Sequence, residues 1–143
     1  MENSKKSVNW EPINFFTYLS FIKWPLLVAL VVELIFRILA VRFVDGLLFQ
    51  QQELTIWIWR LLILIFITWR TIKTYGQVPQ IGALAGGIFG LLVGVVIGLF
   101  RFYDGFKVWK IFNIFTEGLL TAVVGAVVIF LIIYIWEFIP RKK

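Results

Sequence analysis

The chain has 143 residues, of which 61% are hydrophobic, 18% aromatic and only 15% charged. A soluble domain of this length needs more polar cover, so the composition points to one membrane domain with no room for a second sizeable one. With no cysteine and no histidine, disulfides, thiolate metal sites, bis-histidine haem and histidine acid–base chemistry are excluded. The net charge of +6 sits mainly at chain ends and helix boundaries, which reads as orientation and lipid-headgroup contact rather than a nucleic-acid face.

Residues 1–11 (MENSKKSVNWE) are a polar tail carrying Lys5 and Lys6. The first apolar run lacks a small-residue cleavage site and is expected to stay as an anchor. The serines, Ser4, Ser7 and Ser20, all precede the first long apolar run, so the inventory leaves no intramembrane serine–histidine hydrolase. Residues 12–23 (PINFFTYLSFIK) mix aromatic and polar side chains. They are read as a short interfacial helix entering the membrane, with extension of the first span as the alternative. Lys23-Trp24-Pro25 marks the boundary, since proline is acceptable in a first helical turn.

The first span is then residues 24–41, and its length at 1.5 Å per residue gives roughly 27 Å, close to a hydrocarbon core. A connection follows to Glu53, turning at Asp45-Gly46. The second span, 54–69, has Trp57, Trp59 and Trp69 near its ends, as an aromatic belt would. Pro79 opens the third span, 79–100. A loop turning at Asp104-Gly105 leads to the fourth, 112–136, and residues 140–143 form a basic tail. The expected fold is therefore an all-α integral membrane protein, with a single transmembrane domain over 12–139 made of four helices in two antiparallel hairpins.

An even number of spans places both termini and the 70–78 connection on one side, with Lys5, Lys6, Lys23, Arg70, Lys73, Arg141, Lys142 and Lys143. The other side has Arg42, Arg101, Lys107 and Lys110. That excess favours both termini in the cytoplasm. Lys107, Trp109 and Lys110 on one side and Arg141-Lys142-Lys143 on the other fit headgroup anchoring, with recruitment of a protein partner as the alternative.

The third span has glycine at every fourth position: Gly82, Gly86, Gly90, Gly94 and Gly98, with Gly87 besides. Each glycine costs a helix about 1 kcal/mol against alanine, so a row in register means that the missing side chains are used. Small residues at this spacing let two membrane helices approach closely. Gly118, Ala122, Gly125 and Ala126 supply the matching surface on the fourth span. The row drifts about 40° per step around the helix, favouring a right-handed crossing. A glycine zipper within one hairpin is the leading reading. Packing between subunits of a homo-oligomer and a pore lined by glycine backbone are the alternatives.

Four ionisable residues fall inside spans: Glu33, Arg37, Arg60 and Glu117. Each costs on the order of 2.5–3.5 kcal/mol at bilayer depth. Glu33 and Arg37 are one turn apart and able to pair. Measured from the non-cytoplasmic ends, Arg37 lies about 7 Å in, Glu117 about 8 Å, Arg60 about 9–10 Å and Glu33 about 13 Å. All four share one half of the membrane, which predicts a neutral cluster joining the spans. Its alternative role is an ion, proton or substrate site.

A carboxylate in the first of four spans resembles the small multidrug-resistance transporters, whose first helix carries an essential glutamate. Arg37, one turn from Glu33, departs from that pattern by neutralising it. The segment FNIFTEGLLTAVVGAVVIFLI, with the glycine-rich span before it, resembles the end of small bacterial glycine-rich membrane proteins of the transglycosylase-associated type. That resemblance covers the last third of the chain and implies no activity. Phosphate-cradling motifs, metal-ligand spacings and nucleotide fingerprints are absent from the sequence. The expected function is a non-enzymatic scaffold or accessory subunit, without cofactor or metal, whose partners are the bilayer and itself or another membrane protein. A small homo-oligomeric channel or transporter is the alternative. A self-neutralising charge cluster favours the first, and an unpaired group the second.

Overall fold

The computed structural model describes residues 14–43, 49–103 and 109–138, with side chains over 14–39, 51–100 and 111–136. It is all-helical: α1 spans Phe15–Phe43, α2 Phe49–Tyr75, α3 Pro79–Tyr103 and α4 Trp109–Phe138. Each contains a stretch long and apolar enough to cross a membrane: Phe15–Leu39, Gln51–Tyr75, Pro79–Phe100 and Ile111–Trp136. The turns expected at Asp45-Gly46 and Asp104-Gly105, the tail 1–11 and the basic tail 140–143 lie outside the described residues.

The first helix departs from expectation. Residues 15–23 form no separate interfacial segment but continue into α1, with Pro25 inside the helix. Proline removes one hydrogen bond and strains the turn before it. Packing offsets that cost, because Tyr18, Phe21 and Ile22 are all buried. Phe21 meets Tyr75 edge-on at 5.5 Å between ring centroids, and the Arg70 guanidinium lies 4.8 Å over the Phe21 ring. These contacts hold the first two turns of α1 against the end of α2. The second span is also longer than expected, because its flanking polar turns remain helical.

The passage from α2 to α3 is tight. Gly76 takes φ +79° and its N–H donates to the Ile72 carbonyl at 3.0 Å, a left-handed C-terminal cap that a side chain would strain. Pro79 then starts α3, where its missing N–H has no intrahelical partner to lose.

The α3–α4 pair has by far the most extensive interface in the protein. A Cβ added at Gly86 would strike the Gly125 carbonyl, and one at Gly90 the carbonyl of Thr121. At Gly94 it would lie 2.7 Å from the Gly118 Cα, and at Gly98 2.7 Å from the Ile114 Cα. At Gly82 it would meet Ile129 and Ile133 side chains. Contacts therefore advance along α3 as they retreat along α4. Gly87 is the exception, with the Ala126 Cβ at an ordinary 3.6 Å.

The remaining helices surround this pair unequally. α2 packs against α1, α3 and α4, whereas the α1 and α4 backbones do not approach one another closely among the described residues. Ile22, Ala29, Ile67, Ala85, Phe89, Ile129 and Ile133 belong to the buried core. Leu27, Val31, Ile35 and Leu39 of α1, with Leu119, Val123, Leu131 and Ile135 of α4, are exposed. Such apolar surface suits acyl chains and would be costly in water.

Candidate functional site

Among the described residues Glu33 and Arg60 are the most deeply buried charges, at 1% and 3% exposure. Arg60 grips Glu33 from α2 in a two-pronged pair: Nη2 donates to Oε1 at 2.7 Å and Nε to Oε2 at 3.0 Å. Only the planar guanidinium fork provides this geometry; a lysine would present a single point charge. From the next turn of α1, Arg37 adds Nη2 to Oε1 at 3.1 Å and Nε to the same oxygen at 3.2 Å. Both oxygens of Glu33 are thus engaged by cations, as burial in hydrocarbon requires.

Two further carboxylates complete the network. Arg37 reaches Glu53 of α2 at 3.4 Å, and Arg60 approaches Glu117 of α4 at 3.6 Å. The Trp57 ring lies 5.1 Å from the Arg60 guanidinium, near enough for cation–π attraction. Three helices are joined in this way, and α4 carries the link onward to α3. Thr121 Oγ1 donates across the interface to the Gly90 carbonyl at 2.6 Å, sharing its one proton with the Glu117 carbonyl, also at 2.6 Å.

The structure therefore brings Glu33, Arg37, Arg60 and Glu117 into one network. It adds Glu53, which by sequence alone closes the connection before the second span. The signal was present, since Glu53 precedes Arg60 by two helical turns and so shares its face. Thr121 had no sequence signal, because its role depends on the Gly90 carbonyl of another helix. Gly82, Gly86, Gly90, Gly94 and Gly98 all face α4; Gly118 lies 3.1 Å by an added Cβ from Val95, and Gly125 faces the Gly86 carbonyl. Ala126 and the Ala122 carbonyl lie beside Gly87, while the Ala122 backbone nitrogen packs on Gly90 of the glycine row.

Chemically the network is an arrangement of mutually held charges. Among the described residues no group of three histidine, cysteine or acidic side chains could hold a metal ion; guanidiniums stand between the carboxylates. The Trp59 Nε1–H is a buried donor without a partner, beside an apolar crevice between α1 and α2 lined by Val32, Phe36 and Ile56. Comparison with protein-family models, with characterised proteins and with solved structures finds no match.

Proposed function

We propose that this is a non-enzymatic scaffold or accessory subunit of a membrane, working by helix packing with a second copy or another membrane protein. In this reading α1–α2 and α3–α4 are two antiparallel hairpins. The second is closed by a glycine zipper, and the charge network clamps the two together. Both termini face the cytoplasm, as the lysine and arginine distribution favours.

The observation that carries the proposal is Glu33, whose two oxygens accept four hydrogen bonds from Arg37 and Arg60. A carboxylate that carries protons or ions through a membrane must exchange partners, and one held by two guanidiniums at this depth is poorly placed to do so. The alternative, a small oligomeric channel or transporter, is favoured by Glu53 and Glu117, whose side chains keep 22% and 15% of their surface accessible.

The test is the oligomeric mass of the protein in lipid nanodiscs, wild type beside Glu33→Gln and Gly90→Leu. The scaffold reading expects a defined oligomer, or a monomer that captures a specific membrane protein from its native bilayer. Ion or solute flux that Glu33→Gln abolishes while the assembly stays intact would replace it with the transporter.

A further inference from the structure

The membrane-facing seam between α1 and α2 is built from two matched stripes. On α1, Phe21, Pro25, Val28, Val32 and Phe36 recur at helical spacing and share one face. On α2, Thr55, Trp59, Ile63, Phe66 and Arg70 do the same. Two contacts fix their antiparallel register. Arg70 lies over the Phe21 ring at one end, and Val32 and Phe36 share a crevice with Thr55 and Trp59 at the other. We infer that this seam holds an anionic phospholipid, its phosphate on Arg70 and Lys73 and an acyl chain along the seam into the crevice. The inference stands apart from the scaffold proposal and from the orientation of the chain.

The charge at the end of α2 selects the headgroup. The Arg70 guanidinium rests on the Phe21 ring at 4.8 Å, and the Lys73 ammonium on the Trp69 ring at 5.3 Å. Among the described residues neither forms an ion pair, in contrast to Arg37 and Arg60. A planar guanidinium whose N–H fork is not engaged matches two phosphate oxygens. Lys73 follows one turn later on the same side of the helix. This second cation repels choline and other ammonium headgroups, which restricts the site to lipids of net negative charge. Trp69 is exposed beside them, as an indole at the headgroup boundary should be.

The rest of the seam selects a lipid over a soluble phosphate. Phe21 and Ile63 are buried in its floor, while Val28, Val32 and Phe66 are exposed along its edges. At its far end the crevice has a volume of about 130 Å³ between Val32, Phe36, Ile56 and Trp59. Glu33 borders this crevice with no accessible side-chain surface, so the walls offered to a ligand are apolar. Arg70 and Trp59 are separated by about 16 Å along the helix. One leaflet of a roughly 30 Å hydrocarbon core is about 15 Å deep. A chain hanging from a phosphate on Arg70 therefore ends in the crevice and covers apolar surface that α1 and α2 leave open.

The experiment uses the full chain in phosphatidylcholine nanodiscs doped with phosphatidylglycerol, with retained lipid counted by native mass spectrometry. Wild type should retain phosphatidylglycerol in preference to phosphatidylcholine. Arg70→Gln and Lys73→Gln should each weaken that preference roughly fivefold. Lys73 is exposed, so its variant keeps the fold and tests the site even where Arg70→Gln loosens α1. Lys23→Gln removes an exposed cation two residues from Phe21, on another face of α1, and should change nothing. Val32→Phe fills the crevice from an exposed edge, so it should fold normally. It should lose long-chain phosphatidylglycerol while keeping the short-chain dioctanoyl form. No preference in wild type, or a preference unchanged in Arg70→Gln and Lys73→Gln, overturns the site. An equal loss in Lys23→Gln reduces it to diffuse attraction and overturns it too. Glycerol phosphate competing as well as the lipid, or long-chain retention unmoved by Val32→Phe, overturns the lipid assignment.

Discussion

Two regions of this bundle fasten helices by opposite means. Along α3–α4 the side chains are removed, so that Gly86 and Gly125 meet backbone to backbone and Gly90 lies under Thr121. Across α1, α2 and α4 long charged side chains bridge the helices, with Arg60 reaching Glu33 at 2.7 Å and Glu117 at 3.6 Å. The seam gains from dispersion and close approach, because lipid tails compete with side chains for apolar contact. The network gains because each charge lacks any better partner in hydrocarbon. The seam should therefore be intolerant of added volume, and the network of lost charge.

The largest effect is expected at the seam. Gly90→Leu places a branched side chain where even a Cβ would strike the Thr121 carbonyl. It should prevent α3 and α4 from closing, with the protein recovered as aggregate on size exclusion in mild detergent. A well-behaved variant with wild-type melting would show that the seam does not hold the fold. Gly87→Ala is the control on the same helix. Its methyl would meet Ala126 at 3.6 Å, so stability should be unchanged or rise by up to about 1 kcal/mol from helix propensity.

In the network, Glu33→Gln should cost about 3–5 kcal/mol, because it leaves two buried guanidiniums short of charge. Arg60→Gln should cost more than Arg37→Gln, since the Arg60 side chain is 4% exposed and that of Arg37 14%. Denaturant melts of the three variants by tryptophan fluorescence check both the size and the order. Equal losses at the two arginines would mean that depth does not set the cost. The smallest effect tests the link between the regions: Thr121→Val, which removes the hydroxyl bonded to Gly90, should cost about 1 kcal/mol. If Glu33→Gln and Thr121→Val add without coupling, seam and network are energetically separate.

Where sequence reading fell short, the cause was tertiary contact. The proline-marked boundary at Pro25 was a sound local inference. It was overridden because Phe21 and Ile22 bury against neighbouring helices, which no local pattern reports. Glu53 looked like loop because QQQE has no apolar character. It is helical and faces Arg37, which compensates its charge. Both ends of the third span were legible, because Pro79 at its start and the change from apolar run to Arg101 at its end are local signals.

The sequence alone determined four membrane-length helices, since hydropathy and length depend only on the residues in each run. It also placed Glu33 and Arg37 on one face, because a helix fixes the direction of residues one turn apart. Tertiary structure decided that Glu33 is shared between Arg37 and Arg60, that Glu53 joins them, and that among the described residues the α1 and α4 backbones stay apart. Those outcomes depend on how helices rotate and approach one another. That choice is made by summed packing over whole faces, where no single residue carries the signal.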